Sequence, residues 1–293
     1  MLSSKSFAKI NLYLEITGND AKGYHLLDSL MTCIDLYDIV KIDRTQNNLK
    51  LNINGPYSQV LTNNIQENII IKTINLLVKR YNFTPNLEIT LTKNIPVSAG
   101  LGGGSANAAT VMLMLNKLYE LNLSVKQLID ISLEIGCDIA FCLYKKMALI
   151  SGVGQIITDI KVKKEDFSVL IVNPNQQLST KKVFNLFRSK YSSVINSYKQ
   201  QVIESDSLID IIKNRNNDLQ APACEIMPQI ADIISNIKKQ DNCLVAAMSG
   251  SGPSCFGLFR SKSDLLKAKD NITKQFPQFY VRDCKIIYDS RDI

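Results

Sequence analysis

The sequence predicts an α+β fold built in two layers, and three observations carry that expectation. Near the N-terminus, apolar and polar residues alternate as in a strand. In the middle, a glycine-rich turn joins an extended segment to an alanine-rich helix. In the C-terminal half, a short wholly apolar strand at residues 169–172 is followed by helical segments and by further strands.

The first strand puts Ala8, Ile10, Leu12, Leu14 and Ile16 on one face and Lys9, Asn11, Tyr13 and Glu15 on the other, the pattern of a half-buried strand. Thr17-Gly18-Asn19-Asp20 ends it. A turn at Gly23 precedes Tyr24, His25 and the segment 26–36, and a further extended segment covers 36–42. After an asparagine-rich loop, 67–79 reads as an amphipathic helix and 87–91 as a strand leading into a loop at Pro96. The helix after the glycines starts near Ser105 or Ala106 and runs to about Leu118. A second begins at Ser124, where Ser124 and Gln127 make a capping box and Gly136 supplies the stop. Asp138 lies just beyond that stop, where an aspartate suits the N-cap of a following helix. Gly152-Val153-Gly154 then breaks the pattern and marks a domain crossing. Strands at 244–248 and 255–259 flank the loop Ser249-Gly250-Ser251-Gly252-Pro253, and a helix near 263–275 precedes a last strand around 280–288.

At 293 residues and 45% hydrophobic content the chain can bury a substantial core, enough for two domains or one large one. Its 34 Lys and Arg against 27 Asp and Glu give a net charge of +7, spread along the chain and not gathered into a block. That balance suits an anionic substrate and gives no nucleic-acid patch. Seven cysteines without a CxxC pair, and a single histidine, leave no Cys/His set for zinc. Reduced thiols in the cytoplasm are the expectation. No apolar run approaches the roughly 18 residues that span a bilayer, and no hydrophobic signal core opens the chain, so a soluble, unexported protein is expected.

The stretch 96–109, PVSAGLGGGSANAA, places Gly100, Gly102, Gly103 and Gly104 directly before a helix. Glycines let successive backbone N–H groups turn inward, and a helix start adds unpaired amides and a positive dipole end, so the pattern makes a phosphate cradle. It is neither a P-loop, since no GKS or GKT follows, nor a dinucleotide fingerprint, since Ser105 stands where the third glycine belongs. A plain strand-to-helix turn would not need four glycines.

Together AKINLYLEITG with GYHLLDSL, then GLGGGSANAA, GCDIAF and SGSGPSCFG, in this order from residue 8 to about 259, resemble the GHMP kinases. Within that family the set is similar to the branch acting on a cytidine diphosphate alcohol of isoprenoid precursor synthesis. The resemblance implies a ribosomal-protein-like N-terminal domain at 1–155 and a ferredoxin-like C-terminal domain at 156–293, with the active site between them. It implies ATP as co-substrate, Mg²⁺, and a small-molecule cytidine diphosphate acceptor, with no nucleic-acid or membrane partner. A monomer or homodimer is compatible with it.

Residue by residue, the resemblance makes Lys9 and Asp138 catalytic: Asp138 accepts the acceptor's hydroxyl proton and Lys9 polarises the carboxylate or the phosphate. Taken without the family, Lys9 reads as a solvated lysine on a strand face. ATP would meet Pro96, Gly100, Leu101, Gly102, Gly103, Gly104, Ser105 and Ala106, with Lys93 and Asn68 near the adenine. The acceptor would meet Asn11, Tyr24, His25, Thr180, Phe184, Gly250, Ser251 and Gly252; Tyr24 and Phe184 would stack on cytosine and His25 would bond its edge. Three positions depart from the family pattern: Phe7 and Ala140 replace proline, and Lys22 replaces aspartate. Rival readings are another kinase of the family, of the homoserine or mevalonate type, or a binding protein that has kept the fold without turnover.

Overall fold

The computed structural model describes residues 1–62, 65–188, 191–192 and 202–290. The chain opens with two long strands, β1 (Leu2–Asn19) and β2 (His25–Arg44), paired antiparallel along nearly their whole length. Then come β3 (Lys50–Asn54), α1 (Gln59–Thr62), α2 (Ile69–Tyr81) and β4 (Leu87–Thr92). The glycine run opens α3 (Gly103–Leu118), followed by α4 (Val125–Ser132), α5 (Asp138–Tyr144) and the strands β5 (Ala148–Gly152) and β6 (Ile156–Asp159). After β7 (Lys161–Val162) come β8 (Ser168–Asn173), α6 (Thr180–Leu186), β9 (Val202–Ile203), α7 (Ser205–Lys213), α8 (Gln220–Ile226) and α9 (Gln229–Lys238). Strands β10 (Val245–Met248) and β11 (Cys255–Phe259), helix α10 (Lys262–Gln275) and β12 (Tyr280–Ile287) complete it.

Ten strands form one sheet in the order β10-β11-β8-β12-β2-β4-β3, with β1 and β5 also on β2 and β6 on β5. The last strand joins the halves: β12 pairs with β8 along 280–285 and with β2 at Ile286 and Ile287. Burial of alternate side chains on β8 shows layers on both faces of the sheet. Val169 and Ile171 join a core with Ile10, Leu12, Phe256 and α7, while Leu170 and Val172 join another with α9 and α10. A third core packs α2, α3, α4 and α5 on the sheet around Val40, Ile42 and Ile89.

Several local expectations hold. The capping box at Ser124 and Gln127 is present, and β4, β8, β11 and α10 fall where the pattern put them. Others need correction. The two segments 26–36 and 36–42 are one strand, because β1, β5, β12 and β4 in turn pair with parts of β2. Helix α2 starts after Asn68, whose side chain accepts from Ile70 N, and a 3₁₀ turn takes residues 65–67. Helix α4 ends at Ser132, ahead of Gly136. Gly152 ends β5 and Gly154 lies in the turn to β6, the two strands forming an antiparallel hairpin.

The largest correction concerns β1, which is not half-buried. Its polar face is also covered: Lys9, Asn11, Tyr13 and Glu15 are all less than 7% exposed. A segment some 200 positions away supplies the cover, since Leu14 N donates to Asn216 O and Asp218 N to Leu14 O. Arg215 binds Glu15 and Asp28, each at 2.7 Å, and lies 4.4 Å over the Tyr13 ring. Burial still pushes the Glu15 carboxyl above its ordinary pKa, with Arg215 opposing.

Candidate active site

A cleft of about 1150 Å³ runs between the glycine loops. Three devices put Lys9 in it. Register shifts in the β1–β2 ladder flank the residue on either side, between Phe7 and Lys9 and between Asn11 and Tyr13, and such bulges re-aim side chains. The Lys9 N–H donates to Leu101 O at 2.9 Å, tying the strand to the glycine loop. Gly102, in the left-handed region at φ +63°, leaves room for the lysine stem: a Cβ there would sit 2.7 Å from Lys9 Cγ.

A buried ammonium needs partners, since its desolvation is costly otherwise. Lys9, 4% exposed, donates to Asn11 Oδ1 at 2.7 Å and lies 3.3 Å from Asp138 Oδ2. The Asn11 amide is itself fixed, Nδ2 donating to Ser29 Oγ and the Ser29 hydroxyl to Tyr13 O. Asp138 is the first residue of α5, and the N-cap is Cys137, with no side-chain cap bond. The aspartate therefore does not cap its helix; its carboxylate, 42% exposed, faces Lys9 and the cleft.

The glycine cradle is likewise built from both sides. Helix α3 starts at Gly103, two residues earlier than the alanine pattern suggests, so Gly103, Gly104 and Ser105 form its first turn. Gly100 is at φ +75° and Gly102 at φ +63°, conformations that glycine adopts without strain. Ser249 locks the second glycine loop onto the first: its hydroxyl donates to Gly100 O at 3.0 Å and accepts from Asn11 N at 3.2 Å. Gly250 stands so close that a Cβ would lie 3.3 Å from Lys9 Nζ. Thr180, at the start of α6, shares a hydroxyl hydrogen bond with Ser251 at 2.8 Å.

A second lysine, Lys93, points into the same region from below α3. It is paired with Asp38, both almost fully buried, and burial lowers the Lys93 pKa from its ordinary value while Asp38 opposes. Asp38 further accepts from Asn94 N (2.7 Å), Ile95 N (2.8 Å) and Asn107 Nδ2 (2.9 Å).

Of the residues singled out from sequence, Lys9, Asn11, Asp138, Pro96, Gly100 and Gly102 line this cleft. So do Gly103, Gly104, Ser105, Thr180, Phe184, Gly250 and Ser251, together with Lys93 and Asn68. Leu101 and Ala106 are instead packed in the core, 1% and 3% exposed. Gly252 contributes a backbone N–H to Ser249 O. Tyr24 is 65% exposed and His25 lies outside the lining, its ring stacked on Phe184 at 5.4 Å and edge-on to Phe187 at 5.6 Å. His25 Nδ1 is buried without a partner among the described residues. Sequence reasoning missed Asp38, Asn217 and Ser249 as individual residues; an aspartate between Tyr37 and Ile39 inside an apolar strand was the available signal for the first.

With this geometry in place, the likenesses to known proteins are specific. The model of the GHMP kinases N terminal domain matches residues 68–146, and that of the GHMP kinases C terminal domain matches residues 204–278. A 4-diphosphocytidyl-2-C-methyl-D-erythritol kinase of Clostridioides difficile (strain 630) is 35% identical over 282 residues, covering 94% of this chain and 93% of that one. One of Clostridium botulinum (strain Langeland) is 38% identical over 283 residues, 95% and 98% covered. Among solved structures, a 4-(cytidine 5'-diphospho)-2C-methyl-D-erythritol kinase superposes with a TM-score of 0.74 at 23% identity, covering 97% of this chain and 99% of that one. The homoserine kinase of Cytophaga hutchinsonii gives 0.68 at 18% identity, with 99% and 98% covered. Both share the fold. The chain thus belongs to the GHMP kinases and, within them, to the family of the 4-diphosphocytidyl-2-C-methyl-D-erythritol kinases.

Proposed function

We propose that the chain transfers the γ-phosphoryl group of ATP to the 2-hydroxyl of 4-diphosphocytidyl-2-C-methyl-D-erythritol, giving the 2-phosphate and ADP on the non-mevalonate route to isoprenoid precursors. The observation that carries the chemistry is the Lys9–Asp138 pair at 3.3 Å beside the glycine cradle. Phosphoryl transfer asks little covalent work of a protein; it asks for alignment and for compensation of charge. In this reading Asp138 orients the acceptor hydroxyl and takes its proton, and Lys9 holds that carboxylate and offsets equatorial charge on the moving group. Asn11, through its fixed amide, sets the lysine. The N–H groups of the first turn of α3 hold the ATP phosphates.

Magnesium fits this site as a guest of the nucleotide. No cluster of three or more His, Cys, Asp or Glu side chains able to hold a metal occurs among the described residues, and Mg²⁺ on a nucleotide needs only one or two protein oxygens. Ser105 and Asp138 are such oxygens on the cleft wall. Bound there, the ion would neutralise phosphate charge.

The His25–Phe184 stack, with Tyr24 exposed beside it, suits an aromatic base. Stacking of a base on one exposed ring adds about 1–3 kcal/mol. Residues 1–155 and 156–293 are the two domains of this reading. Among the described residues no helix is long and apolar enough to cross a membrane. A cytoplasmic monomer or homodimer without nucleic-acid partners completes the proposal.

The test is ADP release from ATP and magnesium in the presence of the cytidine diphosphate alcohol, homoserine or mevalonate. Release with the first alone is the expected result. Release with either of the others, or with none, would overturn the substrate assignment.

A further inference from the structure

The second glycine loop has a support that the reaction described above does not yet use. Asn217 is absent from the cleft lining and lines a separate, smaller cavity beside β10. Its Nδ2 donates two hydrogen bonds, to Met248 O and to Gly250 O, both at 2.8 Å. Its Oδ1 accepts from Leu219 N at 3.0 Å, so the amide cannot rotate without losing a bond. Gln220 adds a bond from Met248 N to its Oε1 at 3.2 Å. The segment carrying Asn217 is itself pinned through Leu14 to β1, the strand that presents Lys9 and Asn11.

The consequence follows from peptide geometry. A trans peptide is planar, and its C=O and N–H point in opposite directions. The unit whose oxygen is Gly250 O carries the N–H of Ser251. Drawing Gly250 O onto Asn217 therefore turns the Ser251 N–H the other way, toward the cleft that Gly250 and Ser251 line. Among the described residues no acceptor takes that N–H. Gly250 lies beside Lys9 Nζ, so the donor stands at the end of the cleft where Lys9 and Asp138 meet.

We infer that Asn217 is a positioning residue that aims the Ser251 N–H at an oxygen of the phosphoryl group in transfer, a preset donor on the side opposite the α3 cradle. The inference rests on the proposed reaction and adds to it a group for the developing charge. A backbone donor of this kind costs no reorganisation when charge develops, and loss of one such donor lowers turnover by about 100-fold or more.

The test compares the wild type with Asn217→Asp, the same size but with oxygens against both carbonyls, and with Asn217→Leu. The expected result is a fall in kcat of about 100-fold in each, with KM for ATP and for the acceptor within about twofold of the wild type and a cooperative thermal transition retained. The second readout is the Ser251 amide resonance in a ¹⁵N-labelled wild-type chain, expected to shift downfield when ADP, magnesium, a planar phosphoryl mimic and the acceptor are added together. That measurement needs no variant, so it decides the matter even if both substitutions unfold the chain. An unmoved Ser251 resonance, or folded variants with wild-type kcat, would overturn the clamp while leaving the reaction intact. A wild type that releases no ADP with the cytidine diphosphate alcohol would overturn both.

Discussion

Two lysine–aspartate pairs stand at one cleft, and water separates their roles. Lys93 and Asp38 are sealed, both carboxylate oxygens of Asp38 taken by Lys93, Asn107 and two backbone N–H groups. Lys9 is buried to the same degree, but its partner Asp138 is 42% exposed and opens to the cavity. In the first pair both oxygens of the acid are taken within the protein, so Asp38 holds the loop before the glycines in shape. In the second, one carboxylate retains an open side, and that is what a substrate hydroxyl requires. In the proposed reaction, identical residue types thus serve as scaffold or as chemistry according to the exposure of the acid.

Breaking the open pair should show the largest effect. Asp138→Asn is expected to lower turnover by about 10³-fold in a coupled ADP assay, while its thermal midpoint stays within about 2 °C of wild type because the acid is partly exposed and the lysine keeps Asn11 Oδ1 as its acceptor. A large fall in the midpoint would erase the distinction drawn above. The sealed pair should behave in the opposite sense. Asp38→Ala leaves Lys93 and two loop N–H groups without an acceptor and is expected to cost about 3–5 kcal/mol in urea unfolding. Replacing both members, Asp38→Leu with Lys93→Met, should cost less than the single change, since no charge is then stranded.

A smaller effect probes how Lys9 is held. Gly102→Ala adds a methyl 2.7 Å from Lys9 Cγ at a backbone conformation that costs a non-glycine residue about 1–2 kcal/mol. Turnover should fall by roughly tenfold with a modest loss of stability, read from kcat and from the unfolding midpoint. The smallest effect uses cysteines as reporters. All seven are free. Burial pushes the Cys33 thiol to about 11, and Cys142 higher than normal as well, so neither should react with a thiol reagent at neutral pH. Burial and the Asp138 charge also raise the Cys137 thiol, but it is partly exposed on the cleft wall, so it should react faster than those two, and ATP with the acceptor should slow it several-fold.

The chain's motifs made the cradle legible because glycine spacing has a local cause: Gly100 and Gly102 adopt positive φ, and α3 begins at once. Capping at Ser124 was legible for the same reason. The environment of Lys9 was not. Alternation along β1 reports which face is apolar, and it is silent on what covers the polar face; here the cover comes from Arg215 to Asp218 and from Ser249. The same distance hid Asp38, whose partners lie at 93–107, and Asn217, whose carbonyl acceptors lie some thirty positions on. Lys9 and Asp138 could be joined from motif resemblance alone because no local pattern spans 129 positions between them; the contact exists through the sheet and through α5.

The seam strand β12 lies later in the chain than both of its partners, β2 and β8. Until Tyr280–Ile287 has been synthesised, β8 and β2 lack their common neighbour. Nascent chains stalled before this point should be unable to bind nucleotide and acceptor together, however complete their glycine cradle, because the strand that joins β2 to β8 is missing.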